Sequence, residues 1–456
     1  MRNRVVAVIA TAAAAASVVT GCGSSSSGSS SASTGTVKWW TWDDKQAAAY
    51  QKCATAFEKA NPGDTVQISQ YDVSDYFTKL TAGFVAGDAP DAFQNSVQYF
   101  QAYASQNQLL PLDDLIKKTG YNLSQFSVGV NAWKYTDGKQ YGLPLDWAAT
   151  AVYYNQDMLT QAGYTQQDVD NLTWNPDDGG TFDKMVAHLT IDKNGKRGDQ
   201  PGFDKNHIAT YGVGVLNSDD FIGQTTWSSF VSTLGWQMGD KASWPTVFNY
   251  NDPRLVKTMD YIKSLAARGF MPGFGQFTGA NGQNSVSDVT QLGSGKVALE
   301  TAGSWEAATF TKLPGVHVGI APTVLGPDGK TRKVLSNSNG DNIWAGTKNP
   351  DLTWKWVSYM GSAPCQTLAG ASGTFFPSIP SAMEASAQAM KAQGVDWSVF
   401  TQYQKDGSLY PAVVYGAGAA MQQAEQPLLD AYFDGSRGDD VFAEMQTKSK
   451  SILAGD

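Results

Sequence analysis

The sequence predicts an α/β protein made of two wound lobes, and three observations carry that prediction. Residues 36–93 alternate strand and helix patterns as β-α-β-α-β, the order of a mostly parallel wound sheet. The chain has 456 residues, enough for a large core divided into two or three lobes. Around Leu143-Pro144-Leu145 the chain is extended, because proline holds its predecessor out of the helical region. That segment reads as a crossing from one lobe to the other. No repeat period of about 20 to 50 residues is present.

Taken in order, Arg2 and Arg4 precede an apolar run over residues 5–19. The run is too short to span a bilayer and has the basic-then-apolar layout of an export signal. Residues 23–35 are almost all Ser, Gly, Ala and Thr, a flexible spacer that cannot bury apolar area. Residues 36–42 alternate as a strand does. Asp43-Asp44-Lys45 then open a helix over 46–60, with Tyr50, Cys53, Ala54 and Phe57 on one face, and Asn61-Pro62-Gly63 stops it. Residues 65–70 form a second strand. Ser74 or Asp75 caps a helix carrying Phe77, Leu80 and Phe84. A turn at 87–90 leads into Asp91-Ala92-Phe93. Further helices are expected at 181–189, 252–268 and 353–360. Ligands in such sheets bind beyond the carboxyl ends of strands, which brings Trp42-Asp43-Asp44 and Gln94-Asn95-Ser96 to one crevice.

Bulk properties narrow the function. The net charge is −9, which argues against a nucleic-acid partner. Charged residues are sparse at 16%, while aromatics reach 12% with 14 Trp. That balance suits a secreted protein reading a ligand with apolar faces and hydroxyls. The chain holds no HExxH, GxSxG or GxxxxGK[ST] pattern. His188, His207 and His317 lack metal-ligand spacing. The loop from Asp192 to Asp199 has oxygen-bearing side chains, but its Gly195 comes too early for a calcium loop and no terminal Glu follows. A surface β-turn is expected there, and no metal or cofactor.

Thr20-Gly21-Cys22 after the apolar run resembles the lipobox of bacterial lipoproteins. That resemblance implies a signal peptide over 1–21, a diacylglyceryl thioether on Cys22 as the mature first residue, and a spacer over 22–35. Two acyl chains anchor stably where one does not. An ordinary signal peptide with a chance cysteine is the competing reading. With Cys22 assigned to lipid, Cys53 and Cys365 remain as an even pair in an oxidising compartment, and a disulfide between them is expected. Two separately buried thiols are the other possibility.

Further segments resemble the extracellular sugar-binding lipoproteins of ABC importers, the family that includes maltose-binding protein. They are Trp40-Thr41-Trp42-Asp43, Gly87-Asp88-Ala89-Pro90-Asp91, Gly138-Lys139 through Leu143-Pro144 to Tyr154-Asn155, Gly295-Lys296-Val297-Ala298 through Gly303-Ser304-Trp305, and Trp344-Ala345-Gly346-Thr347-Lys348 with the Trp354-Lys355-Trp356-Val357 helix. They run in family order. The resemblance implies a periplasmic-binding-protein-like (type II) fold, two wound α/β lobes joined by crossing hinge strands. Lobe 1 would be 36–146 plus 337–372, and lobe 2 would be 147–336 plus 373–456. It also implies a monomer on the extracellular face of the cytoplasmic membrane, delivering sugar to permease subunits of an ABC transporter.

A pyranose has an apolar C–H face and a rim of hydroxyls, so its site needs flat aromatic rings with carboxylates or amides around them. In lobe 1, Trp42, Asp43 and Asp44 fit, one Asp doubling as a helix cap. Asn95 and Ser96 lie at the next strand end, as candidates for binding or for turn formation. Asp146 and Trp147 lie at the crossing, where the Trp serves sugar contact or hinge packing. In lobe 2, Trp305 follows Gly303-Ser304 at a strand end and is the foremost stacking candidate by family position. Trp227 is a second, in a region that also reads as core helix. Asp341 lies at the return crossing, and Phe375 lines the mouth or packs in the core. The carbohydrate ligand is a mono- or oligosaccharide. The rival readings are a secreted glycoside hydrolase, which needs only two carboxylates, and a structural cell-surface lipoprotein.

Overall fold

The computed structural model describes residues 34–217, 221–277 and 287–455. The expected signal segment and Cys22 lie outside the described residues, as does all of the spacer before residue 34.

The first elements follow the predicted alternation. They are β1 (Thr36–Thr41), α1 (Asp44–Ala60), β2 (Thr65–Gln70), α2 (Val73–Ala86), β3 (Ala92–Ser96) and α3 (Val97–Ser105). Helix α1 starts two residues before the sequence pattern suggests. Asp43 takes the cap position, and its Oδ1 accepts the backbone N–H of Gln46 at 2.6 Å, satisfying a donor the first turn would otherwise orphan. The inward stripe of Tyr50, Cys53, Ala54 and Phe57 is buried.

The chain then runs through β4 (Gly142–Ala148) directly into β5 (Thr150–Asn155), with Ala149 alone between them. The remaining strands are β6 (Ile191–Asp192), β7 (Ile208–Val213), β8 (Val297–Gly303), β9 (Val318–Ala321), β10 (Val334–Ile343), β11 (Phe376–Pro377) and β12 (Leu409–Pro411). They form two sheets. The first has the order β11-β4-β10-β3-β1-β2, with β12 pairing β10 off that path. The second has the order β6-β7-β8-β5-β9. β1 pairs in parallel with both β2 and β3, as the β-α-β-α-β pattern requires. β10 is antiparallel to β3 and β4, because these strands belong to chain passing between the sheets rather than winding within one. The second sheet is mixed, with β7 and β8 parallel and β5 antiparallel to both β8 and β9.

Each face of the first sheet has its own core. Trp39, Tyr50, Phe57 and Trp356 fill the α1 side, whereas Tyr76, Phe93, Phe100 and Trp133 fill the other. A further cluster runs from Trp147 and Phe376 of the first sheet to Tyr153 and Ala302 of the second, so packing is continuous across the junction. Helices Gly418–Phe433 and Asp440–Leu453 close the second sheet's core through Met421, Tyr432, Phe442 and Met445. Cys53 and Cys365 are joined by a disulfide with Cα atoms 5.3 Å apart, tying α1 to the helix Ala363–Gly370. Among the described residues, no helix is long and apolar enough to cross a membrane.

Candidate functional site

The carboxyl ends of β1 and β3 point the same way, and register sets what meets there. Trp40 of β1 lies opposite Phe93 of β3, Ser96 of β3 lies opposite Asn339 of β10, and Asn339 in turn lies opposite Asp146 of β4. Side chains on one face of a strand recur every second residue, so Thr41, Gln94, Asn339 and Asp146 converge below the first turn of α1. They form one chain of hydrogen bonds. Thr41 donates its hydroxyl to Gln94 Oε1. Gln94 Nε2 donates to Gln46 Oε1 at 2.9 Å, and Gln46 Nε2 donates to Asp146 Oδ2 at 2.7 Å. Asn339 Nδ2 donates to Asp146 Oδ1 at 2.7 Å.

Asp146 is only 4% exposed. Burial pushes its carboxyl up to about 7, against the two amide donors that favour the charged form, with nearby Asp43 adding to the rise. Burial also raises Asp43, although the backbone N–H of Gln46 opposes it. Asp43 is half-buried, Asp44 is exposed in the first turn, and the next residue, Lys45, donates to Thr309 Oγ1 at 3.3 Å. That contact links the α1 start to the helix Ala307–Phe310 beyond β8. Trp42 is half-buried and packs edge-on against Tyr76 at 5.3 Å and tilted against Phe77 at 5.5 Å. Ser96 is half-buried and caps α3 through Gln98 N–H.

Trp305 follows the end of β8. It is half-buried, and its ring folds back over Gly303, where a Cβ would fall 2.2 Å from Cζ2. Only glycine leaves room for that ring. Phe375 lies beside it at 6.3 Å between centroids and is 8% exposed. Next to the crossing strands, Thr150 donates to the Gln224 carbonyl at 2.7 Å, and Asn337 Nδ2 donates to Gln224 Oε1 at 3.3 Å. In the segment after β7, Asn217 Oδ1 and the hydroxyls of Thr226 and Ser229 are buried and have no hydrogen-bond partner among the described residues. Buried polar groups are rarely left so.

Four expected sugar contacts are interior groups instead. Trp147 is fully buried, donates Nε1–H to the Pro377 carbonyl at 3.2 Å and packs on Phe376, so it packs in the core beside the crossing strands. Trp227 is buried against Trp236 in the second core. Asp341 is fully buried, with Oδ1 accepting Trp39 Nε1–H at 2.8 Å. Asn95 is fully buried one residue beyond Gln94, which turns it to the opposite sheet face. In the loop after β6, the Asp192 carboxylate accepts backbone N–H groups of Asn194, Lys196 and Asp204, the bonding of a turn. Sequence alone marks Gln94 by its place at a strand end but does not single out Gln46 or Asn339. Gln46 still carried a signal, three residues beyond the cap Asp43 and thus one helical turn along the same face.

Two mixed sheets flanked by helices and joined by crossing strands have the architecture of the type II periplasmic-binding-protein class. The family model for bacterial extracellular solute-binding proteins matches residues 52–421. The chain belongs to that family, which consists of binding proteins rather than enzymes. It is 24% identical over 310 residues to the maltodextrin-binding protein MdxE of Bacillus subtilis, covering 68% of this chain and 65% of that one. It is 25% identical over 320 residues to the maltooligosaccharide ABC transporter solute-binding lipoprotein of Streptococcus pneumoniae, covering 70% of this chain and 66% of that one. The chain therefore spans slightly less than two thirds of the length of either relative. The crystal structure of M. tuberculosis UspC superposes with a TM-score of 0.73 at 26% identity, covering 91% of this chain and all of that one.

Proposed function

We propose that this chain is a lipid-anchored extracellular binding protein that captures a mono- or oligosaccharide between two lobes and delivers it to an ABC permease. The lobes are read as 36–146 with 337–372, and 147–336 with 373–456. The observation that carries the reading is that half-buried Trp42 and Trp305 each follow a strand end, with the Asp43–Gln46–Asp146–Asn339 network beside the first of them. Rings suit the C–H face of a sugar, and carboxylates and amides suit its hydroxyl rim. The maltodextrin- and maltooligosaccharide-binding relatives support the same ligand class. The streptococcal relative is named as a lipoprotein, in line with a lipid on Cys22.

A thermal-shift screen over mono- and oligosaccharides tests the ligand class, and no stabilisation by any carbohydrate would refute it. Replacing Trp305 by Ala should weaken binding of the best sugar by about 2 kcal/mol, the scale of a central aromatic anchor. The melting temperature of the unliganded protein should change little. Cys22→Ser should move the protein from the membrane fraction to the medium, and retention at the membrane would end the anchor assignment.

A further inference from the structure

A separate cavity of about 250 Å³ lies between the helix Ser228–Ser232 and the segment that follows β12. Its wall is apolar and aromatic, with Ile222, Trp236, Met238, Leu335, Tyr410 and Tyr415 among its residues. The polar atoms of this wall are largely spent on one another. Trp236 donates Nε1–H to the Asn249 carbonyl at 2.9 Å, and the Ser232 and Tyr410 hydroxyls pair at 2.7 Å. Ser228, another lining residue, is buried beside Tyr410.

Two lysines, Lys241 and Lys333, complete the lining. Lys241 is exposed and Lys333 partly so. Neither forms an ion pair among the described residues. Lys333 makes one hydrogen bond, to the Gly407 carbonyl at 3.3 Å. The carboxylate adjoining Lys241, Asp240, is held by the Thr246 N–H and hydroxyl. In a chain of net charge −9, two lysines that form no ion pair among the described residues, with only Asp240 close enough to Lys241 to feel its charge, lie beside an apolar cavity and favour an anion there. Size adds a second constraint. An apolar cavity of about 150 Å³ accepts benzene, so this one accepts two fused rings. We propose that the cavity binds a small aromatic carboxylate, its fused rings against Trp236, Tyr410 and Tyr415 and its carboxylate at Lys241 and Lys333. The proposal does not depend on the sugar reading.

Isothermal titration of the full-length protein with 2-naphthoate provides the test. One-to-one binding is expected, weakened about tenfold or more in a Lys241→Gln/Lys333→Gln double variant and by added salt. The neutral 2-naphthalenemethanol should bind correspondingly less well. Val413→Phe, which fills the cavity from its wall, should abolish binding, with a thermal melt to establish that this variant is folded. The surface lysine variant keeps the test open if it is not. No binding of 2-naphthoate at millimolar concentration overturns the site, as does full binding to folded Val413→Phe. Equal affinity for the neutral alcohol, or no change in the lysine variant, overturns the assigned ligand class.

Discussion

Asp146 shows how one residue can be set by opposing demands. Gln46 and Asn339 both aim amide donors at it, which favours the carboxylate, while burial favours the acid and prevails, giving a value of about 7. Between roughly pH 4 and 7 the folded state then holds a proton that the unfolded state has released. Stability contributed by this group is present at the acidic end, falls as pH rises through that window and is level above it. Three pKa units at about 1.4 kcal/mol each set a ceiling of about 4 kcal/mol. Glu425, raised by burial to about 8, extends the decline. Melting temperature should therefore be lower at pH 8 than at pH 5, and Asp146→Asn should flatten the acidic part of the profile. An unchanged profile in that variant would place the titration elsewhere. Glu300 makes a second residue-level case. It is fully buried on β8, neither carboxylate oxygen has a hydrogen-bond partner, and Oε2 lies where a Cβ on Gly214 would fall 1.9 Å away. A buried acid with no partner costs free energy that an apolar isostere does not. Glu300→Met should raise stability to urea by about 1–3 kcal/mol, and a loss would mean the carboxyl is satisfied in solution. Asp146 could be picked from sequence as a polar residue at a crossing, but Trp147, Trp227 and Asp341 carry the same signal. What buries them is contact with Phe376, Trp236 and Trp39, the first and last of these far away in the chain.

At the level of elements, legibility follows the range of the forces. β1 to β3 with α1 and α2 were readable because each is set locally, by a cap such as Asp43, a stop such as Asn61-Pro62-Gly63 and a helical stripe ending at Phe57. β10 was not, since its partners β3 and β4 lie roughly 190 or more residues earlier and only tertiary structure fixes its direction. The helices from residue 380 on carry ordinary helical patterns with no strand between most of them, so the docking of the first two on the junction cluster and of the last two on the second core left no local mark. α1 gains a constraint that its own sequence could only suggest, the bridge from Cys53 to Cys365 across a separation of 312 residues. Closing so long a loop removes much of the unfolded chain's freedom, and native bridges of this kind stabilise by about 2–5 kcal/mol. Reduction, or the Cys53→Ala/Cys365→Ala pair, should lower the unfolding midpoint accordingly. Equal midpoints with and without reductant would mean the thiols are free.

For the whole molecule, the two sheets are coupled covalently by β4–β5 through Ala149 and by the chain through β10. Noncovalently they share the Trp147–Phe376–Tyr153 core and the Lys45–Thr309 contact at the crevice. The shared core sits at the crossing strands, where relative rotation moves side chains least. Lys45–Thr309 is a single exposed hydrogen bond, worth little against water. Such a molecule should open with small loss of packing and close when a ligand supplies the missing contacts to both walls. Addition of the best sugar from the screen should reduce the radius of gyration measured by small-angle scattering, from a starting scale of about 22 Å for the roughly 420 residues from Thr36 onward. Because a neutral sugar carries no charge for salt to screen, its dissociation constant should change by less than about twofold between low and high ionic strength. A strong salt dependence would point to a charged ligand, and saturable binding without compaction would leave the crevice a static pocket rather than a closing one.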